Sequence, residues 1–283
     1  LAEEEEEQPE PTHKDIAYGP YDRNRLDFWK ADTDSPAPLV VNIHGGGFLM
    51  GEKAAGPVLL KWAAERGIAV AAIAYRFSQD AIAPASFTDT ARAIQFLRHK
   101  AGEWGVDPTR VATIGPSAGA GLGMWLAFRK DMAQPDSDDP VLRESTRLKC
   151  VIGNAAQSSY DPRFIRDLFP DFPVHKEPAL AQLFDVDLDK LDDLPEEKYN
   201  LFEEMSPINF VTADAPPVML NYGNALDREI TDPGVGIHHA RFGVPLKEKL
   251  DSVGGICEFN ADGKLVEDGS EARSFTEFFE EYL

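Results

Sequence analysis

Residues 111–121, Val-Ala-Thr-Ile-Gly-Pro-Ser-Ala-Gly-Ala-Gly, constrain the fold of this chain more than any other stretch. A short apolar, β-branched run at 111–114 ends in Gly115-Pro116-Ser117-Ala118-Gly119, and a helical apolar stretch begins at once and continues to Phe128. A serine at so abrupt a strand-to-helix turn takes a strained backbone that lifts its hydroxyl out of the sheet. The residues two before and two after it must then be tiny, because a side chain there collides with the neighbouring strand and helix. Gly115 and Gly119 meet that demand, and Pro116 suits the extended lead-in.

Around this turn the chain alternates strand and helix signals. Residues 15–18 and 25–29 read as a hairpin about Gly19-Pro20. Apolar runs at 39–43, 68–75, 111–114, 148–153, 217–222 and 256–259 read as strands; several lack polar alternation, as strands buried on both faces do. Helical spacing predicts helices over 57–66, 87–104, 118–128, 242–252 and 271–282, with Asp107-Pro108-Thr109-Arg110 as a turn. This order implies an α/β fold: a mostly parallel central sheet with helices on both faces. Between 155 and 210 the alternation fails and acidic and aromatic residues accumulate, so that stretch reads as a cap or lid inserted before the strand at 217–222. The core is expected to comprise 14–154 and 211–283, and residues 1–13 to form a disordered acidic tail. The start at Leu1 fits a processed or trimmed N-terminus and an exported protein, without fixing a compartment.

In such sheets sites lie beyond the carboxyl ends of the strands. A second glycine cluster falls at one of those ends: His44-Gly45-Gly46-Gly47-Phe48. Backbone amides bared by glycine stabilise the negative charge that acyl transfer builds on a carbonyl oxygen, each worth about 3–4 kcal/mol. His44 reads as a brace for that loop.

Tyr75-Arg76, Pro84, Asp89, Ala93, Asp107-Pro108 and Arg110 stand at the relative places they occupy in hormone-sensitive-lipase-like and related carboxylesterases. Residues 38–126 resemble those α/β-hydrolase enzymes. The resemblance implies Ser117 as nucleophile, a Ser–Asp–His mechanism, carboxylic-ester substrates and no cofactor. It further implies an oxyanion hole made by the amides of Gly46, Gly47 and Ala118.

The acid is expected after the strand at 217–222: Asp227, one position later than the family usually has it, with Asp232 as fallback. The histidine should follow the last strand, yet residues 260–269 contain none, and no histidine lies beyond His239. The candidates are His238 and His239, with His239 slightly favoured, and His175 from the cap as a further alternative. The leading reading is a serine hydrolase of short-chain or carbohydrate-type esters. The alternative is a catalytically impaired relative acting as a ligand-binding protein.

Composition narrows the partners. With 49 acidic against 28 basic residues and a net charge of −21, the chain repels nucleic acid and anionic membranes, and a small neutral or cationic ester fits better. No run reaches 18 apolar residues, so no membrane span is expected. Cys150 and Cys257 sit in apolar runs without C-x-x-C spacing; they read as core residues, and no metal site is expected.

Overall fold

The computed structural model describes residues 9–283. Two antiparallel strands, β1 (His13–Ala17) and β2 (Arg25–Trp29), precede β3 (Ala37–Ile43), β4 (Ala69–Ile73), β5 (Val106–Pro116), β6 (Val151–Asn154), β7 (Val218–Tyr222), β8 (Cys257–Ala261) and the short β9 (Lys264–Leu265). Their order across the sheet is β1-β2-β4-β3-β5-β6-β7-β8-β9. From β4 to β8 every neighbouring pair is parallel, so six carboxyl ends open on one edge.

The helices are α1 (Pro57–Glu65), α2 (Ala85–His99), α3 (Ala101–Trp104), α4 (Ala118–Phe128), α5 (Pro162–Leu168), α6 (Pro178–Phe184), α7 (Glu196–Met205), α8 (Pro233–Ile237), α9 (Gly243–Ser252) and α10 (Phe275–Tyr282). Strand side chains point alternately to the two faces. Val40, Val70, Ala72, Ala112, Ile152 and Met219 pack with Leu60, Trp62 and Phe279 of α1 and α10. On the other face Leu39, Val41, Ile43, Val111, Val151 and Leu220 pack with α2, α4 and α9. Burial on both faces explains why these strands read as near-continuous apolar runs. Cys150 and Cys257 are buried free thiols; burial pushes the Cys150 thiol up to about 12.

Three expectations about local structure change. The Asp107–Arg110 turn lies inside β5 as an irregularity, because the Asp107 carboxylate accepts from the Thr109 amide and hydroxyl while the pairing with β3 shifts. The last helix starts later than expected, where Ser274 and Glu277 make a capping box. Of the proposed acidic tail, residues 1–8 lie outside the described residues. Residues 9–13 do not belong to a tail: the Pro9 carbonyl accepts from the Trp29 indole, Thr12 accepts from the Lys30 amide, and His13 opens β1 stacked 4.7 Å from Trp104.

Between β6 and β7 lie α5, α6 and α7 joined by 3-10 turns, with no strand. This segment is fixed to the sheet domain. The Gln182 amide donates to Ser78 O (3.1 Å), the Ala83 amide to Leu183 O (2.9 Å), and the Trp125 indole to Glu204 O (2.8 Å). Among the described residues no helix is long and apolar enough to cross a membrane.

Candidate active site

Ser117 stands between β5 and α4 with φ 50° and ψ −119°. A non-glycine residue held there costs about 1–3 kcal/mol and persists only where its surroundings over-determine it. Those surroundings are visible. The Ser117 amide donates to Asn154 O at the end of β6 (2.8 Å), and the Gly121 amide returns to Ser117 O (3.0 Å). A Cβ on Gly115 would lie 2.4 Å from Ile43 O, and one on Gly119 only 2.0 Å from the same atom. The elbow is therefore wedged against the backbone of β3, and both glycines are sterically required.

The glycine loop lies on the neighbouring strand end. Gly46, Gly47 and Phe48 take φ values of 104°, 61° and 64° in succession. A Cβ on Gly46 would strike Met50 O at 2.2 Å, because Gly46 O accepts from the Leu49 and Met50 amides. Among the described residues the amides of Gly46 and Gly47 donate to nothing. Ala118, first residue of α4, has no intrahelical acceptor for its amide. His44 braces this loop. Its Nδ1 donates to Gly45 O (2.7 Å), its ring stacks 4.2 Å from Tyr75, and the Tyr75 hydroxyl donates to His44 O (2.9 Å). Burial holds the His44 imidazole below its ordinary range, so it stays neutral.

His238 Nε2 lies 2.8 Å from Ser117 Oγ. Its Nδ1 lies 2.8 Å from Gly234 O. A carbonyl oxygen can only accept, so the ring proton sits on Nδ1 and the Nε2 lone pair faces the serine hydroxyl. The histidine caps the C-terminal end of α8, whose first turn is fixed by Asp232 and Pro233: Asp232 Oδ1 accepts from the Val235 amide at 2.9 Å. Two amide side chains hold the segment. Asn224 donates to His238 O and accepts from the Ala240 amide, and Gln157 donates to Ile237 O (2.7 Å).

Ser117, Ala118, His238 and the glycine loop thus converge on one cavity, whereas His239, Asp227, Asp232 and His175 do not join them. His239, slightly favoured from sequence, is fully buried away from Ser117. Its Nε2 donates to Arg228 O (3.0 Å), its Nδ1 accepts from the Arg241 amide (3.1 Å), and Phe169 abuts its ring. Adjacent residues at a helix end point in different directions, and here the second turns inward. Asp227 is exposed in the turn after β7 and touches neither nitrogen of His238; the Gly234 carbonyl occupies the place a carboxylate would take. Asp232 is the helix cap described above. His175 lies in the 3-10 turn Val174–Lys176 and does not line the cavity over Ser117. Sequence reasoning missed Gly234, Asn224 and Gln157. Asp232-Pro233 was a legible helix start, but a backbone acceptor leaves no side-chain signature.

The cavity over Ser117 holds about 370 Å³, at the small end of ligand pockets. Phe48, Met50, Leu180 and Ile237 give it apolar walls, with Ser117, His238, Gln157, Tyr160 and Glu177 as polar side chains. Among the described residues no cluster of histidine, cysteine and acidic side chains is arranged to hold a metal.

The family described as BD-FAE matches residues 26–232. A probable isoprenylcysteine alpha-carbonyl methylesterase of Oryza sativa subsp. japonica is 34% identical over 142 residues, which is 50% of this chain and 34% of the relative. Esterase LipQ of Mycobacterium tuberculosis is 29% identical over 216 residues, covering 74% of this chain and 48% of LipQ. The chain therefore spans about a third to a half of the length of these curated relatives. Among solved structures, a truncated carbohydrate esterase from gut microbiota superposes with a TM-score of 0.69 at 21% identity over 95% of both chains, a likeness that shows the fold.

Proposed function

The chain belongs to the BD-FAE family of α/β-hydrolase esterases, and from that premise we propose that it is a serine esterase in which Ser117 and His238 are the reacting pair. The observation that carries this reading is the 2.8 Å contact between Ser117 Oγ and the proton-free Nε2 of His238. Ser117 Oγ attacks the ester carbonyl and its proton passes to His238 Nε2. The tetrahedral oxygen takes its negative charge facing the free amides of Gly46, Gly47 and Ala118, with the positive end of α4 behind them. The C–O bond then breaks, the alcohol leaves with the proton from His238, and the acyl group remains on Ser117. Water attacks that acyl-enzyme, giving its proton to His238. The acid departs as the proton returns to Ser117 Oγ.

The Gly234 carbonyl orients the imidazole in place of an acidic residue. It fixes the tautomer, as the carboxylate of a triad does, but brings no full negative charge to the imidazolium. The cavity volume of about 370 Å³ supports esters with a short acyl chain or a compact carbohydrate-type alcohol, not long lipids. The alternative of an inactive ligand-binding protein is motivated by the absence of histidine after β8. A histidine that meets Ser117 from the β7–β8 connection removes that motive.

A fluorophosphonate probe and p-nitrophenyl acetate test the proposal on wild type and Ser117→Ala. Covalent labelling at Ser117 and turnover above the Ser117→Ala background are expected. A folded wild-type protein that neither labels nor turns over ester above that background refutes it.

A further inference from the structure

Among the described residues Glu177 is the only carboxylate lining the cavity over Ser117. It is half-buried at the residue preceding α6. Among the described residues its side chain has no hydrogen-bond or ion-pair partner. It caps none of the first amides of α6, and the adjacent Lys176 ammonium is bound to Asp189 at 2.6 Å. Its place in the cavity wall follows from the next turn: a Cβ built on Gly47 would lie 3.3 Å from Ala179 Cβ, so 177–180 roofs the glycine loop. That roof is fixed, since Gln182 and Leu183 bond to the 78–83 loop of the sheet domain.

A carboxylate held partly out of water beside apolar walls loses hydration that no protein group restores. A ligand carrying a hydrogen-bond donor at this point restores it with a charge-assisted bond. The same carboxylate, in a chain of net charge −21, repels an anionic ligand.

We propose that Glu177 is a specificity-determining residue of this cavity, selecting esters that carry a donor group near the scissile bond, ammonium above hydroxyl, and rejecting esters that carry a carboxylate. The proposal rests on the reading of Ser117 and His238 as the reacting pair.

Four acetate esters of similar size test it: 2-(dimethylamino)ethyl acetate (protonated at neutral pH), 2-hydroxyethyl acetate, n-propyl acetate and acetoxyacetate. Acetate release is measured by pH-stat for wild type, Glu177→Gln and Ser117→Ala. The readout is the ratio of kcat/KM for each ester to that for n-propyl acetate within one protein, so a change in folded fraction cancels. Wild type is expected to favour the ammonium ester and disfavour acetoxyacetate. In Glu177→Gln the ammonium-to-propyl ratio should fall about fivefold to tenfold and the acetoxyacetate-to-propyl ratio should rise, as for a partly desolvated ion pair. Ratios that are equal in wild type and Glu177→Gln overturn the role of Glu177 while leaving the serine esterase intact. Hydrolysis that is the same in Ser117→Ala as in wild type overturns the reacting pair, and this proposal with it.

Discussion

Replacing Asp227 by asparagine removes the carboxylate that the usual chain order of serine, acid and histidine assigns to the base. Asp227 is exposed, and His238 Nδ1 is already engaged by the Gly234 carbonyl at 2.8 Å. In a protease triad built on a carboxylate, the corresponding change lowers kcat about 10⁴-fold. A surface substitution without partners changes free energies by about 0.5 kcal/mol or less, which is about twofold in rate. Asp227→Asn is therefore expected to keep kcat within about threefold of wild type. His238→Ala deletes the group in contact with the serine hydroxyl. Proton transfer by a positioned base contributes about 10² to 10⁴, and losses from removing a triad base reach higher, so a fall of at least about 10³-fold is expected. The assay is the initial rate on p-nitrophenyl acetate with the Ser117→Ala rate subtracted and reactive serines counted by fluorophosphonate titration. A hundredfold loss in Asp227→Asn with an unchanged melting temperature refutes the reasoning: a carboxylate must then reach Nδ1 during turnover and displace the Gly234 carbonyl.

Gly119→Ala places a methyl 2.0 Å from Ile43 O and 2.6 Å from His44 O, both backbone atoms. A loss of about 3 kcal/mol or more should appear as a melting temperature lower by about 10 °C, and a melt within 2 °C (roughly the shift for under 1 kcal/mol) contradicts it. His239→Ala strands the Arg228 carbonyl and the Arg241 amide and leaves a void. It should cost about 2–4 kcal/mol in chemical denaturation, while the folded fraction still labels at Ser117; loss of labelling there would return His239 to the site. Burial, the leading cause, holds both His44 and His239 below the ordinary value of 6.5. In that window the unfolded chain binds more protons than the folded one, so stability rises with pH and is lost as pH falls below about 6.5. The melting temperature should be lower at about pH 5 than at about pH 7.5, with a shallower slope in His239→Gln; a higher value at the acid end contradicts the assignment.

What was legible in the sequence was whatever local sterics dictate. Gly115 and Gly119 announce the elbow because a Cβ at either would strike Ile43 O. Gly46 and Gly47 announce the loop because its positive φ values suit residues without a Cβ. The strand runs were legible because both faces of the sheet are covered. The support of His238 was not. Which of two neighbouring histidines faces the serine depends on the half-turn at which α8 ends, and no periodicity encodes that. The expectation for Asp227 came from counting positions along a loop, whereas the α8 turn, capped by Asp232, brings a main-chain oxygen to His238 first.

The displaced histidine can reach Ser117 because of how the segment between β6 and β7 packs. A Cβ on Gly236 would lie 2.4 Å from Val174, and Phe169 packs on His239 and Phe242, so α8 rests directly on that segment. Gln157 bonds to the carbonyl of Ile237 from the same side. His238 is carried between β7 and β8, and residues 157–174 form a wall against the turn that bears it. The same segment continues into Glu177 and the roof over Gly47. Substitutions at Gly236 or Val174 should therefore disturb the Ser117–His238 contact without touching either residue, coupling turnover to the packing of the segment between β6 and β7.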